Sequence, residues 1–309
     1  MLNFLPQNKN CLTSFSFLVF LFFSCFLFST TLDGQNQLWT PISNNLLSKE
    51  KSANFQDFEL FSLDKPLFLA AVEKTTNSNR QFPTQLSIPL EEGHLTNFTL
   101  IDAPIIAPNS NSQYATAYTF KVIETANSLV QGRISWMNGV FYGHLIQDGQ
   151  SIFIENVPID GVENVYIIYK EQDLKTLGNA ALTCGNTLLK QFKQDQSFLH
   201  LTANDSLFDT HLKTFKIAIA ATEGFTNASG GTKELASAAI VRALTSLNVI
   251  YEKDTGIRFI LHENNDQLIF TDSMPSPFTD SEDAFGLWAE NASLLDGFLG
   301  NDNLSLIHI

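Results

Sequence analysis

FKIAIAATEGFTNASGGTKELASAAIVRALTSLNVIYEKDTGIRFIL, running from Phe215 to Leu261, is the stretch that decides the fold class. Its first seven residues, Phe215-Lys216-Ile217-Ala218-Ile219-Ala220-Ala221, read as a buried strand. Gly230-Gly231 then breaks the chain. Thr232 is placed to cap a helix, and Glu234 complements the positive end of that helix's dipole. Ala236, Ile240, Leu244, Leu247 and Tyr251 recur at helical spacing and predict a core-facing stripe about five turns long. Asp254-Thr255-Gly256 stops the helix, and Ile257-Arg258-Phe259-Ile260-Leu261 is the next strand. Strand, helix, strand implies a right-handed crossover and a parallel pair. A turn at Asn264-Asn265 leads on to Leu268-Ile269-Phe270, and a second helical stretch covers roughly Ser281 to Leu299. This is the opening half of an α/β domain, with no visible second half.

Upstream the pattern changes from helical to alternating. Between about Gln85 and Lys170, Tyr118-Thr119-Phe120-Lys121-Val122 and Gly132-Arg133-Ile134-Ser135-Trp136 alternate apolar and polar residues. Asn138-Gly139 lies between two such runs, and Asp148-Gly149 repeats the device before Ser151-Ile152-Phe153-Ile154; both are strong hairpin signals. Val165-Tyr166-Ile167-Ile168-Tyr169 closes the series. Short strands with frequent turns predict an antiparallel sandwich or barrel, a binding or covering module without a catalytic cluster. Residues 35–80 read as polar and irregular, with Phe58-Glu59-Leu60-Phe61 and Leu67-Phe68-Leu69 as short docking elements. Residues 171–210 read as a linker with at most a short helix.

The N-terminus reads as an export signal. Lys9 supplies the positive region, and Phe15 to Phe28 is an apolar run of about 14 residues, short of the roughly 20 that span a bilayer as a helix. Cleavage is expected near Gly34 or Gln35, giving a secreted, soluble product. Cys11 and Cys25 fall inside the signal, so the mature chain keeps Cys184 alone and no internal disulfide is expected. The 309 residues carry 18 Lys+Arg against 32 Asp+Glu, a formal charge of -14. That field disfavours nucleic acid and anionic membranes as partners. With 44% hydrophobic residues the chain can bury a core, and wholesale disorder is excluded.

No complete active site is legible. His262-Glu263 invites a zinc-protease reading, but the second histidine position holds Asp266 and the stretch reads as a strand edge, where a helix is required. His94, His144, His200, His211 and His308 are scattered without ligand spacing and read as surface or strand residues. Asp280-Ser281-Glu282-Asp283 has the chemistry for Ca2+, although a solvated helix start is the plainer reading. No G-x-S-x-G, phosphate-binding loop or dinucleotide fingerprint occurs.

The order of parts carries a resemblance. Leu38-Trp39-Thr40-Pro41-Ile42, Phe98 to Pro108, Phe215 to Ala220, Tyr251 to Ile257, Asn264-Asn265-Asp266, and Glu290-Asn291 followed by Gly297-Phe298-Leu299-Gly300 resemble, in sequence, the parts of exported bacterial reprolysin-like (metzincin) metallopeptidase precursors. The resemblance implies an α+β chain, with an antiparallel β-rich prodomain followed by the N-terminal half of a metzincin-type α/β catalytic domain. Its divisions would be a signal peptide at 1–34, a propeptide at 35–210 and an incomplete catalytic domain at 211–309. It further implies a Zn2+ cofactor, protein or peptide substrates, and a prodomain whose partner is its own catalytic domain. The family's H-E-x-x-H-x-x-G-x-x-H motif is absent from this chain, so its catalytic ligands are expected downstream of Ile309, and the fragment itself is expected to be inactive. The closing Leu304-Ser305-Leu306-Ile307-His308-Ile309 also resembles translated sequencing-adapter read-through. By the same resemblance Cys184, followed by Gly185, is a candidate zinc ligand of a silent zymogen. The rival reading is a non-catalytic exported β-module for adhesion or inhibition.

Overall fold

Nine antiparallel strands form the larger part of the fold, in the order β1-β2-β9-β8-β7-β6-β5-β4-β3. They are β1 (Trp39–Ile42), β2 (Glu59–Leu63), β3 (Gln85–Pro89), β4 (Leu95–Asp102), β5 (Ala117–Glu124), β6 (Gln131–Met137), β7 (Val140–Gln147), β8 (Gln150–Asn156) and β9 (Val165–Lys170). The structure is a computed structural model that describes residues 37–77, 84–90, 93–107, 117–175, 212–279, 284–299 and 305–308. The chain divides into two units, Met1–Gln37 and Leu38–Ile309, and the elements described here belong to the second.

The sheet curls strongly enough that its edge strands β1 and β3 come near each other, an almost closed barrel. Its inner face is apolar: Phe98, Phe120, Val122, Ile134, Trp136, Phe141, Leu145, Ile154 and Tyr166 form one buried cluster. Helix α1 (Lys65–Asn77) lowers Phe68 and Val72 into that cluster. Phe68 meets Phe141 edge-on at 5.4 Å, and Trp39 meets Phe141 and Tyr166 likewise at 5.3 and 5.6 Å. Such edge-to-face pairs contribute beyond their buried area.

Both hairpin signals behave as their chemistry demands. Asn138 and Gly139 have φ of 51° and 80°, and Asp148 and Gly149 have 51° and 77°, the paired positive values of a type I′ turn. Residues 35–80 depart from the irregular segment expected of them. Glu59–Leu63 pairs with β9, more than a hundred residues away, and β1 pairs outside it. The strand count thus extends past the 85–170 block, and of the expected sandwich or barrel the sheet takes the nearly barrel form. The beginning of the expected linker is also structured: Glu171–Asp173 form a single 3-10 turn, and Lys175 N–H bonds the Asn54 carbonyl at 2.9 Å. Residues 176–211, which include Cys184, lie outside the described residues.

The C-terminal part opens with β10 (Lys213–Ala220) and α2 (Glu223–Ala228), followed by α3 (Lys233–Asp254) and β11 (Ile257–Leu261). After a 3-10 turn at Asn265–Leu268 come α4 (Ala284–Leu299) and β12 (Ser305–His308). The strands run β11-β10-β12, all parallel. Thr232 caps α3 by accepting from Leu235 N–H, and Gly256 takes the left-handed φ of 67° just past its end. Ala236, Ile240 and Leu244 are buried as the stripe predicts. Tyr251 is not: it is 38% exposed, with its ring edge-on to Phe259 at 5.2 Å. Leu268-Ile269-Phe270 makes no strand, only a bridge from Ile269 to Ala221. No helix among the described residues is long and apolar enough to cross a membrane.

Candidate functional site

The outer face of β6 and β7 is polar yet buried, and that combination locates the site. Strand β6 alternates Ile134 and Trp136 inward with Arg133, Ser135 and Met137 outward, and all five are buried. A polar sheet face ordinarily meets water. Here it meets helix α3.

Arg133 is the hub. It is 1% exposed, donates from Nη1 to Glu252 Oε1 of α3 at 2.6 Å, and donates from Nη2 to the Ala103 carbonyl. The same Glu252 oxygen accepts from Arg258 Nε of β11 at 2.6 Å. One carboxylate therefore serves two guanidiniums, and Arg133 Nε has no partner. Burial holds the Arg133 pKa down to about 10, with Glu252 acting in the opposite sense.

Next along the face, His144 Nδ1 lies 2.8 Å from Ser246 Oγ of α3, and its ring stacks on Phe153 at 4.6 Å. His144 is 1% exposed and its Nε2 is unpartnered, so burial drives its pKa down to about 4, the Ser246 contact opposing. His144 is a strand residue, as expected, but not a surface one. Burial also pushes the neighbouring Tyr142 hydroxyl up to about 12. Arg242 of α3 lies over the Tyr142 ring at 5.7 Å and 3.8 Å from Glu155. Asn138, at the hairpin tip, donates to the Glu234 carbonyl in the first turn of α3 at 2.6 Å.

A second grip is made by backbone. After β4, residues 103–107 leave the large sheet and lie against the free edge of β11. Leu261 N–H donates to the Ile105 carbonyl at 2.6 Å, and Ala107 N–H to the Leu261 carbonyl at 3.0 Å. Thr119 Oγ1 holds the segment at its root, donating to the Ala103 carbonyl at 2.9 Å and accepting from Ile105 N–H at 3.1 Å. Ile105 is fully buried in a core cluster of the C-terminal part, among Ile217, Ala236, Ile240, Leu244 and Leu261. The segment makes one parallel bridge, Ile106 to Leu261, and so covers part of an open sheet edge.

Two buried asparagines finish the smaller sheet. Asn265 Oδ1 accepts from Ile219 N–H at 2.7 Å while its Nδ2 donates to the Ile219 carbonyl at 3.0 Å. Asn248 of α3 does the same for Phe259, at 2.7 and 2.8 Å. Each side chain replaces a missing strand neighbour.

His262 is no zinc ligand pair with Asp266. It is buried at the end of β11, its Nδ1 accepts from Asn264 N–H at 3.2 Å, and a 3-10 turn follows in place of a helix. Glu263 beside it is held below the usual carboxylate range by its own backbone amide, by Lys216 and by His262. Among the described residues no group of three or more His, Cys, Asp or Glu side chains is arranged to hold a metal ion, so they do not fit a zinc centre. Asp280–Asp283, Cys184, His200 and His211 are outside the described residues. Ca2+ finds no support.

With this geometry in view, comparison with known proteins bears on the domain that is gripped. Residues 211–308 match the model of metallo-peptidase family M12B, reprolysin-like. That segment is similar to the reprolysin-like family. It contains β10, α3 and β11, the strand–helix–strand unit whose helix the large sheet covers. The match is confined to this C-terminal part of the chain, and the family it describes is one of metallopeptidases. A search of curated proteins found no significant match.

Proposed function

We propose that the chain is the front part of a secreted zinc metalloendopeptidase precursor, with a signal peptide at 1–34, a propeptide at 35–210 and the N-terminal part of the catalytic domain at 211–309. The supporting observation is that the reprolysin-like segment is gripped by the upstream sheet at two places, through Arg133 on Glu252 and through residues 103–107 on β11. A propeptide that clasps the first helix and first parallel strands of its own catalytic domain has a reason to be polar on a buried face. The zinc ligands and catalytic base are assigned to sequence downstream of Ile309, so no chemical step is carried by the residues present. Cys184 is retained as the proposed zymogen ligand.

The deciding experiment reads the gene in frame past codon 309. An H-E-x-x-H-x-x-G-x-x-H motif in that frame is the expected result. A stop codon without it refutes the peptidase reading. In the extended precursor, Cys184→Ala is expected to release zinc-dependent peptidase activity; unchanged latency disposes of the role of Cys184.

A further inference from the structure

The outer face of the large sheet carries a row of basic side chains beside α3, in which, among the described residues, Arg133 alone has a carboxylate partner. Lys121 of β5 sits directly opposite Arg133 of β6, and Arg133 directly opposite His144 of β7. Like charges facing each other across neighbouring strands are destabilising. A cleft of about 240 Å³ opens beside this row, between the sheet and α3, lined by Lys121, Gln131, Arg133, Glu252 and Lys253 among others. Arg258 shares the carboxylate of Glu252 from behind. Lys121, Arg133 and Lys253 thus line a cleft whose one acid, Glu252, is already shared by two guanidiniums, in a chain whose overall charge is -14. Among the described residues neither lysine makes an ion pair, and Arg133, nearly fully buried, keeps an unpartnered Nε. A buried cation left short of counter-charge is costly unless something else supplies it.

We propose that this cleft binds a small inorganic oxyanion of the phosphate or sulfate type, held between Lys121 on the sheet and Lys253 on α3, with Gln131 as a neutral donor and Arg133 as the fixed charge behind. Several donors converging on one small volume suit a compact anion with several acceptor oxygens. Because its walls come from the two domains, the anion fastens the sheet to the helix. The assignment stands independently of the peptidase reading.

The test is thermal unfolding of the full chain in millimolar sodium phosphate or sodium sulfate, against sodium chloride at equal ionic strength. The expected result is a saturable rise in Tm with phosphate or sulfate, of about 3 °C at ten times the dissociation constant. The rise is expected to vanish in Lys121→Ala/Lys253→Ala. It is expected to persist in Lys49→Ala/Lys51→Ala, which removes the same charge from the single helical turn Lys49–Ser52, away from the cleft. Equal shifts with chloride overturn the proposal, as does a rise that survives in the Lys121/Lys253 variant or disappears in the Lys49/Lys51 one.

Discussion

The two faces of the large sheet are buried by different means. The inner face is a single aromatic and aliphatic cluster whose stabilisation comes from area removed from water, at roughly 25 cal/mol per Å². The outer face across β6 and β7 is covered by α3 through Arg133, Ser135, Tyr142 and His144, groups that lose hydration when covered and recover it only through specific partners. The first kind of burial tolerates repacking, and the second depends on geometry and charge. A domain that must fold on its own has use for the first. The second kind is the more sensitive to the loss of a single charge.

The largest expected effect comes from Glu252→Gln. It leaves Arg133 buried beside Arg258 without a counter-charge, a loss of about 3–5 kcal/mol for breaking a buried pair. Denaturant unfolding is expected to show the C-terminal domain detaching while β3–β5 stay folded. A single undisturbed transition would erase the distinction between the two faces. The inner-face control Leu145→Ala is expected to cost about 2–5 kcal/mol and to weaken the sheet as a whole.

Ile105→Ala comes next, at about 2–4 kcal/mol, since it empties a fully buried position. The side chain belongs by sequence to the sheet domain and by packing to the reprolysin-like core. Chemical-shift changes are accordingly expected at Ile217, Ile240 and Leu261 rather than within the large sheet.

The pH response of His144 follows. Its folded pKa of about 4 lies below the unfolded value of about 6.5, so the unfolded chain takes up the proton first. Its contribution is complete above pH about 6.5 and is lost as pH falls toward 4, amounting to about 3 kcal/mol. His144→Gln is expected to flatten that part of the stability–pH curve, and an unchanged slope would remove His144 from the interface account. The smallest effect is reserved for Arg242→Ala. Arg242 is 54% exposed and 3.8 Å from Glu155, and such a pair contributes less than about 1 kcal/mol, readable as a shift of a few degrees at most in Tm.

These contrasts also explain what the sequence disclosed. Thr232, Gly256 and the Ala236–Leu244 stripe were legible because caps, stops and helical periodicity are local. Asn138-Gly139 and Asp148-Gly149 were legible for the same reason. Arg133 and His144 were not, because alternation assigns polar strand positions to a face without saying what covers it. The partners that decide the matter, Glu252 and Ser246, lie more than a hundred residues away. The strands at Trp39 and Glu59 were missed similarly: four and five residues carry little pattern, and the second is paired to the remote β9 while the first pairs only with the second. Ile105 gave no signal of its role, since an Ile-Ile pair after Pro104 does not announce whose core it fills. The reprolysin likeness rested on the order of short pieces, and it is the 211–308 portion that the family match supports.

Hydrogen exchange of the full chain and of its Glu252→Gln variant tests the clasp most directly. In the parent, α3 and β11 are expected to exchange as slowly as β6 and β7, as one cooperative unit. In Glu252→Gln, protection is expected to collapse across α3 and β11 and to persist in β3–β5. Protection of α3 that is untouched by the substitution, or lost equally in every strand of the large sheet, contradicts the claim that a buried charged face holds α3 and β11 to the large sheet.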